Sequence, residues 1–155
     1  MDPREHAVAV FDQGFNCAES VLTALCTAAG RDVGELRRLA TPFGSGISRR
    51  GTVCGCLSGA AMSIGLLAGR SVPTDVEGKD RAYGMVERLL NLFERTHGSI
   101  DCRNLTGLDL HDPSAAQRFK EDVRARVCVP AMRFTVENAL SELRAAGIAM
   151  PIELE

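Results

Sequence analysis

Residues 51–69 read GTVCGCLSGAAMSIGLLAG: two cysteines one residue apart, then a long run of small and apolar side chains. Nothing in the run alternates with the period of two that a half-buried strand needs. Small residues recur on one face instead, so we expect a helix over 54–68 that lets a neighbouring helix lie close. Glycines and serines break the run, and it is too short to span a bilayer. Strand signals are weak on both sides of it, and almost every other segment also reads with helical period. The expected fold is all-α: a single helical domain over residues 1–155, a bundle of about five main helices plus short helical turns.

Upstream, a first helix is expected over 3–13, with Gly14 interrupting it. In NCAESVLTALCTAAG, residues 16–30, Asn16 is a good N-cap and Glu19 completes a capping-box pattern. Gly30 closes that helix as a C′ glycine. A short helix near 33–40 and a glycine-bearing loop, TPFGSGISRRG, lead into the quoted stretch.

Downstream, Thr74 with Glu77 makes a second capping box. The helix behind it carries Tyr83, Val86, Leu89, Leu90 and Phe93 on one stripe and ends at Gly98. SIDCRNLTG, residues 99–107, reads as a single turn with Ser99 as a candidate cap. Asp112-Pro113 reads as N-cap plus N1, and Phe119, Val123 and Val127 form the buried face that follows. Pro130 opens the last helix, with Met132, Val136, Leu140 and Leu143 facing the core.

With 45% hydrophobic and 25% charged residues, the chain is globular in composition. A net charge of −2 and the absence of Trp argue against nucleic-acid or anionic-membrane binding. The N-terminal residues lack an apolar h-region, so the expected location is the cytoplasm. Thiols stay reduced there, and six cysteines point to redox, metal or packing roles rather than a disulfide framework.

Four cysteines fall at expected helix starts: Cys17, Cys54, Cys102 and Cys128. Free N–H groups and the positive end of the helix dipole lower a thiol's pKa at such positions. Arg49 and Arg50, just before Cys54, add positive charge. Cys26 is nine positions past Cys17, on the opposite face of the same helix, and reads as packing. Cys56 groups with Gly59, Ala60 and Ser63 on the small-residue face and is weighted toward packing, with an extra thiol as the alternative. No CxxC pair and no finger-spaced histidine occurs, and without CxxCH no covalent haem is expected. His6, His97 and His111 are isolated; His97 reads as a helix C-terminal partner. The GSG at 44–46 follows no strand and does not extend to a dinucleotide fingerprint.

GFNCAESVL, FGSGI, CGCLSG with the following IGLLAG, CRNLTGLD and then Cys128 together resemble the C_GCAxxG_C_C family of redox-active proteins. That resemblance implies a small, mostly helical protein, similar to the helical part of split-Soret cytochromes without their haem motif. It implies that Cys17, Cys54, Cys102 and Cys128 are the family's cysteines. Cys56 stands where a small residue such as Ala is expected.

The first functional expectation is thiol–disulfide exchange or electron transfer. Cys17 or Cys54 would attack and the other, or Cys102, would resolve. Its partner would be a redox protein or a small thiol or disulfide. The second is a metal centre, an iron–sulfur cluster or zinc, on Cys17, Cys54, Cys102 and Cys128. The third is a structural interaction module. A homodimer is the default assembly.

Overall fold

The computed structural model describes residues 1–152. In chain order, α1 spans Pro3–Asp12, α2 Cys17–Ala28 and α3 Leu36–Ala40. A 3-10 turn, Thr41–Phe43, leads into the four-residue turn α4, Gly44–Ile47. Then come α5 (Gly55–Ala68), α6 (Val76–His97), α7 (Cys102–Thr106) and α8 (Ala115–Arg118). A π-helical segment, Phe119–Cys128, runs straight into α9, Val129–Ala145. The fold is all-α, as expected; among the described residues Val53 and Asp101 form one isolated antiparallel bridge and no strand. No described helix is long and apolar enough to cross a membrane.

The five long helices share one core, because each carries an apolar face. Leu25 of α2, Leu57 and Ile64 of α5, Met85, Leu89 and Phe93 of α6, and Met132, Val136 and Leu140 of α9 are sealed from solvent. Each such side chain contributes roughly 1.5–3 kcal/mol on burial. Helix α2 is buried on nearly every face, and α5 lies directly against it. A smaller cluster of Leu108, Ala115 and Val123, with Phe119, Val127 and Cys128 partly buried, sits under the π segment.

The start and end of α2 follow from its sequence. Asn16 Oδ1 accepts the Glu19 N–H (3.0 Å), and the Glu19 carboxylate accepts the Asn16 N–H (2.8 Å). The box reaches further than expected: Glu19 also accepts the Thr41 hydroxyl (2.6 Å), and Asn16 Nδ2 donates to the Thr41 carbonyl (2.9 Å). This ties the 41–51 loop over the N-terminus of α2. At the other end Gly30, at φ +69, closes a Schellman motif, with Arg31 N–H on the Cys26 carbonyl (2.9 Å).

Several expectations need correction. The N-cap of α6 is Asp75, not Thr74: the Asp75 carboxylate accepts the Gly78 N–H (2.9 Å), which a carboxylate does at least as well as a hydroxyl. Tyr83 is exposed, and the inner face of α6 runs through Gly78, Met85, Leu89 and Phe93. Asp112 does not cap a helix start but closes a local turn, accepting the Ser114 N–H (2.9 Å) before α8 begins at Ala115. Pro130 does not follow a break. The helical ladder passes from i−5 bonding, with Val129 N–H on the Arg124 carbonyl, to i−4 bonding in α9. Pro130 has no N–H and sits where that register changes, so its missing donor is tolerated in a continuous rod.

Candidate functional site

The short connection after α3 does the most unusual thing in the chain. Ser45, Gly46, Ile47, Ser48 and Arg49 have φ of +57, +63, +63, +52 and +70, a left-handed turn in which four of the five residues carry side chains. Each such residue costs about 1–2 kcal/mol, so the surroundings must hold it. They do. Ser48 N–H bonds the Gly44 carbonyl (3.0 Å), and Thr52 bonds the Gly46 carbonyl through N–H (2.9 Å) and hydroxyl (2.7 Å). Cys102 N–H then bonds the Thr52 carbonyl (2.7 Å), fastening α7 to the loop. Only glycine fits at 46: besides its φ, a Cβ there would stand 2.7 Å from the Cys102 Cβ.

This turn and the N-termini of α2 and α5 meet around one sulfur. The sulfur of Cys17, the first residue of α2, lies beside the Cys56 thiol and the backbone N–H groups of Ser45, Cys17 and Ala18, all of which favour its thiolate. These donors outweigh burial and bring the Cys17 thiol down to about 7. Cys56 is the other half of the arrangement. It lies beside the Cys17 and Cys54 sulfurs and is sealed in the core, and both effects hold its own proton well above the ordinary thiol range. One negative charge is thus favoured on Cys17, with Cys56 keeping its proton.

Helix approach makes this contact possible. A Cβ on Gly55 would meet the Cys17 Sγ at 2.6 Å, and one on Gly59 would meet the Ala18 carbonyl oxygen at 2.5 Å. The pair at i and i+4 lets α5 pack on the backbone of α2.

The other cysteines occupy distinct places. Cys54 is the N-cap residue of α5; it is buried, and its N–H donates to the Ile100 carbonyl (2.8 Å). Cys102 opens α7 and is half-buried; burial, then the neighbouring Cys54 and Cys17, push it up to about 12. Cys128 is not at a helix N-terminus: its φ and ψ of −70° and −44° are helical, and the rod is continuous through it. Burial, followed by the charge of the neighbouring cysteines, raises its thiol as well. Cys26 is fully buried on the far side of α2 with Leu22, Val33 and Ala40. All six cysteines are free thiols.

Cys17, Cys102 and Cys128 line one open cleft of about 690 Å³. Phe11, Phe15, Leu110 and Phe119 give it apolar walls. Arg49, from the left-handed turn, also lines it. Among the described residues, no group of three or more His, Cys, Asp or Glu side chains is arranged to hold a metal ion.

Residues 15–141 match the family described as "Putative redox-active protein (C_GCAxxG_C_C)". The chain belongs to that family. No curated protein and no solved structure matches it.

The C_GCAxxG_C_C match covers the α2 start, the left-handed turn, α7 and the π segment, which line the cleft, and α5, which carries Cys56. Two participants were not legible as such. Cys56 read as a packing residue; it is packed, and its thiol also reaches Cys17. The Ser45 N–H was invisible because a backbone donor has no sequence signature. The Gly55/Gly59 spacing was the available signal, since it marks where another backbone comes close.

Proposed function

We propose that the protein carries out thiol–disulfide exchange, with Cys17 as the attacking thiolate and Cys56 as the resolving thiol. The observation that carries this reading is the closeness of the buried Cys56 thiol to the Cys17 sulfur, which itself lines an open cleft. The Cys17 thiolate attacks one sulfur of a disulfide; its S–S bond breaks, and one thiolate leaves and takes a proton from water. Once Cys17 is tied up as a neutral mixed disulfide, the largest cause holding the proton on Cys56 is gone. Cys56 then loses its proton and attacks the Cys17 sulfur, expelling the second thiolate. The protein dithiol is oxidised to a disulfide, and the substrate disulfide is reduced to two thiols. Cys102, its thiol pushed up to about 12 and without that contact, is a poorer resolver.

Cys56→Ala tests this. It removes a donor to Cys17, so alkylation of Cys17 at neutral pH should slow by roughly three- to thirtyfold as its pKa rises toward the ordinary range. On treatment with a small disulfide, the native protein should yield a Cys17–Cys56 disulfide in peptide maps, and the variant should stop at the mixed disulfide. A native Cys17–Cys54 or Cys17–Cys102 pair would reassign the resolver. Stoichiometric iron or zinc in anaerobically purified protein, lost on Cys17→Ser, would replace this reading with a thiolate metal centre.

A further inference from the structure

The cleft above Cys17 is built to select as well as to admit. Its volume of about 690 Å³ is that of a small-molecule site rather than a protein interface. Two cations from separate elements border it: Arg49 from the left-handed turn and Lys120 from the π segment. Among the described residues neither forms an ion pair, although the chain as a whole carries a net charge of −2.

The two acidic groups at the same cleft have local partners, although only Asp12 is in an ion pair. Asp12 pairs with Arg124, whose guanidinium also lies 4.5 Å over the Phe11 ring, and Asp112 accepts from Ser114 N–H and hydroxyl, both at 2.9 Å. Arg49, Lys120 and Arg124 against Asp12 and Asp112 leave the lining one net positive charge, with Arg49 and Lys120 the two cations outside any ion pair among the described residues.

A second observation points the same way. Arg49 is held at φ +70, a conformation a side-chain-bearing residue adopts only under constraint. The turn that carries it also brings Ser45, whose backbone N–H favours the Cys17 thiolate, to the same cleft. One strained element thus fixes a cation and a sulfur donor on the same cleft.

We propose that the cleft takes a small acidic disulfide: Arg49 and Lys120 meet its carboxylates, Phe15 and Phe119 flank its aliphatic part, and Cys17 exchanges with its sulfur. This rests on the thiol-exchange reading above. The balance is the one given there, the acidic disulfide being the oxidant and leaving as two equivalents of the carboxylate-bearing thiol.

Three disulfides with two methylenes between sulfur and end group test it: dithiodipropionate, hydroxyethyl disulfide and cystamine, with acidic, neutral and basic ends. The reading is the rate at which the Cys17 thiol is consumed, as mixed disulfide plus Cys17–Cys56 disulfide, followed by quenching and mass spectrometry. Ratios between probes are compared across protein variants, so that leaving-group differences cancel. Replacing both cations (Arg49→Asn, chosen because Asn tolerates positive φ, with Lys120→Gln) should lower the acidic-to-neutral ratio by about three- to tenfold.

Arg49→Lys in the Lys120 background should keep most of the ratio, and the basic probe should gain in the double variant. Raising salt from about 0.05 to about 0.5 M should lower the acidic-to-neutral ratio of the native protein without any substitution. A ratio unmoved by both the substitutions and the salt, with all three probes reacting at Cys17, overturns the acidic-substrate proposal and leaves exchange standing. No oxidation of Cys17, either as a mixed disulfide or as Cys17–Cys56, with any of the three probes or with a protein disulfide overturns both. Reaction with a protein disulfide but with none of the three overturns the small-molecule assignment alone.

Discussion

Gly55 lies directly beneath the Cys17 sulfur: a Cβ built on it would stand 2.6 Å from that Sγ. The glycine is therefore part of how the thiolate is positioned, although it contributes no functional atom. It lets the first turn of α5 press its backbone against the first residue of α2, and Cys56, one residue further on, then comes within hydrogen-bonding reach of Cys17.

Gly55→Ala should disturb the site before it disturbs the fold. The added methyl must push the Cys17 sulfur away from Cys56 and from the Ser45 N–H, so the donors that lower its pKa weaken. Far-ultraviolet circular dichroism should stay helical, while the pH midpoint of Cys17 alkylation moves up from about 7 toward the ordinary thiol value of 9.0. An unmoved midpoint in a folded variant would mean that the sulfur does not depend on the α2–α5 approach.

The same donors link Cys17 to stability. Its folded pKa is depressed from 9.0 to about 7, so its contribution is full above pH 9 and is lost as the pH falls through 7. The full effect is on the order of 2–3 kcal/mol from the size of that shift. Above pH 9 the sign reverses for Cys56 and Cys102, whose thiols are held up by their surroundings and oppose ionisation in the folded state. The clean measurement is a difference: urea unfolding of the native protein and of Cys17→Ser at pH 6 and pH 9. The native advantage should grow between the two, because groups common to both proteins, such as Asp2 with its Arg4 partner, cancel. A gap that stays constant with pH would show that Cys17 is not ionised at a lowered pKa.

How much of this was legible depended on whether a feature is local. The α2 cap and its Schellman end were readable because each is settled by residues within a few positions, and the residue types are strongly selected. The α6 cap was off by one residue, Thr74 for Asp75, since both are capping types and only the tertiary path of the chain picks between them. Tyr83 was placed inward by periodicity, yet over 22 residues the helix outruns its partners and only part of the stripe is covered.

Cys128 was misplaced for a different reason. A proline two residues on reads as a helix start, and a π segment running into it has no sequence rule of comparable strength. The left-handed turn was the least predictable feature. Ile47 and Arg49 at positive φ contradict local preference, and non-local contacts, among them the bonds from Thr52 and the packing of Cys102 against Gly46, hold them there.

Two glycines of α5 should respond in opposite directions, and the contrast isolates packing from propensity. A Cβ on Gly59 would sit 2.5 Å from the Ala18 carbonyl oxygen, a backbone atom that cannot move unless α2 shifts as a unit. Gly59→Ala should therefore destabilise by roughly 1–3 kcal/mol, as overpacked cores do. Gly65 is exposed in the same helix with nothing within 4 Å of its would-be Cβ. Gly65→Ala should stabilise by about 0.5–1 kcal/mol through helix propensity alone. Urea unfolding at one pH reads both. Gly59→Ala should carry a second consequence that Gly65→Ala lacks: because Ala18 follows Cys17, displacing it moves one of the N–H donors at the sulfur, and Cys17 alkylation at neutral pH should slow. A Gly59→Ala protein as stable and as reactive as the native one would mean that α2 and α5 are not in the close contact on which the site depends.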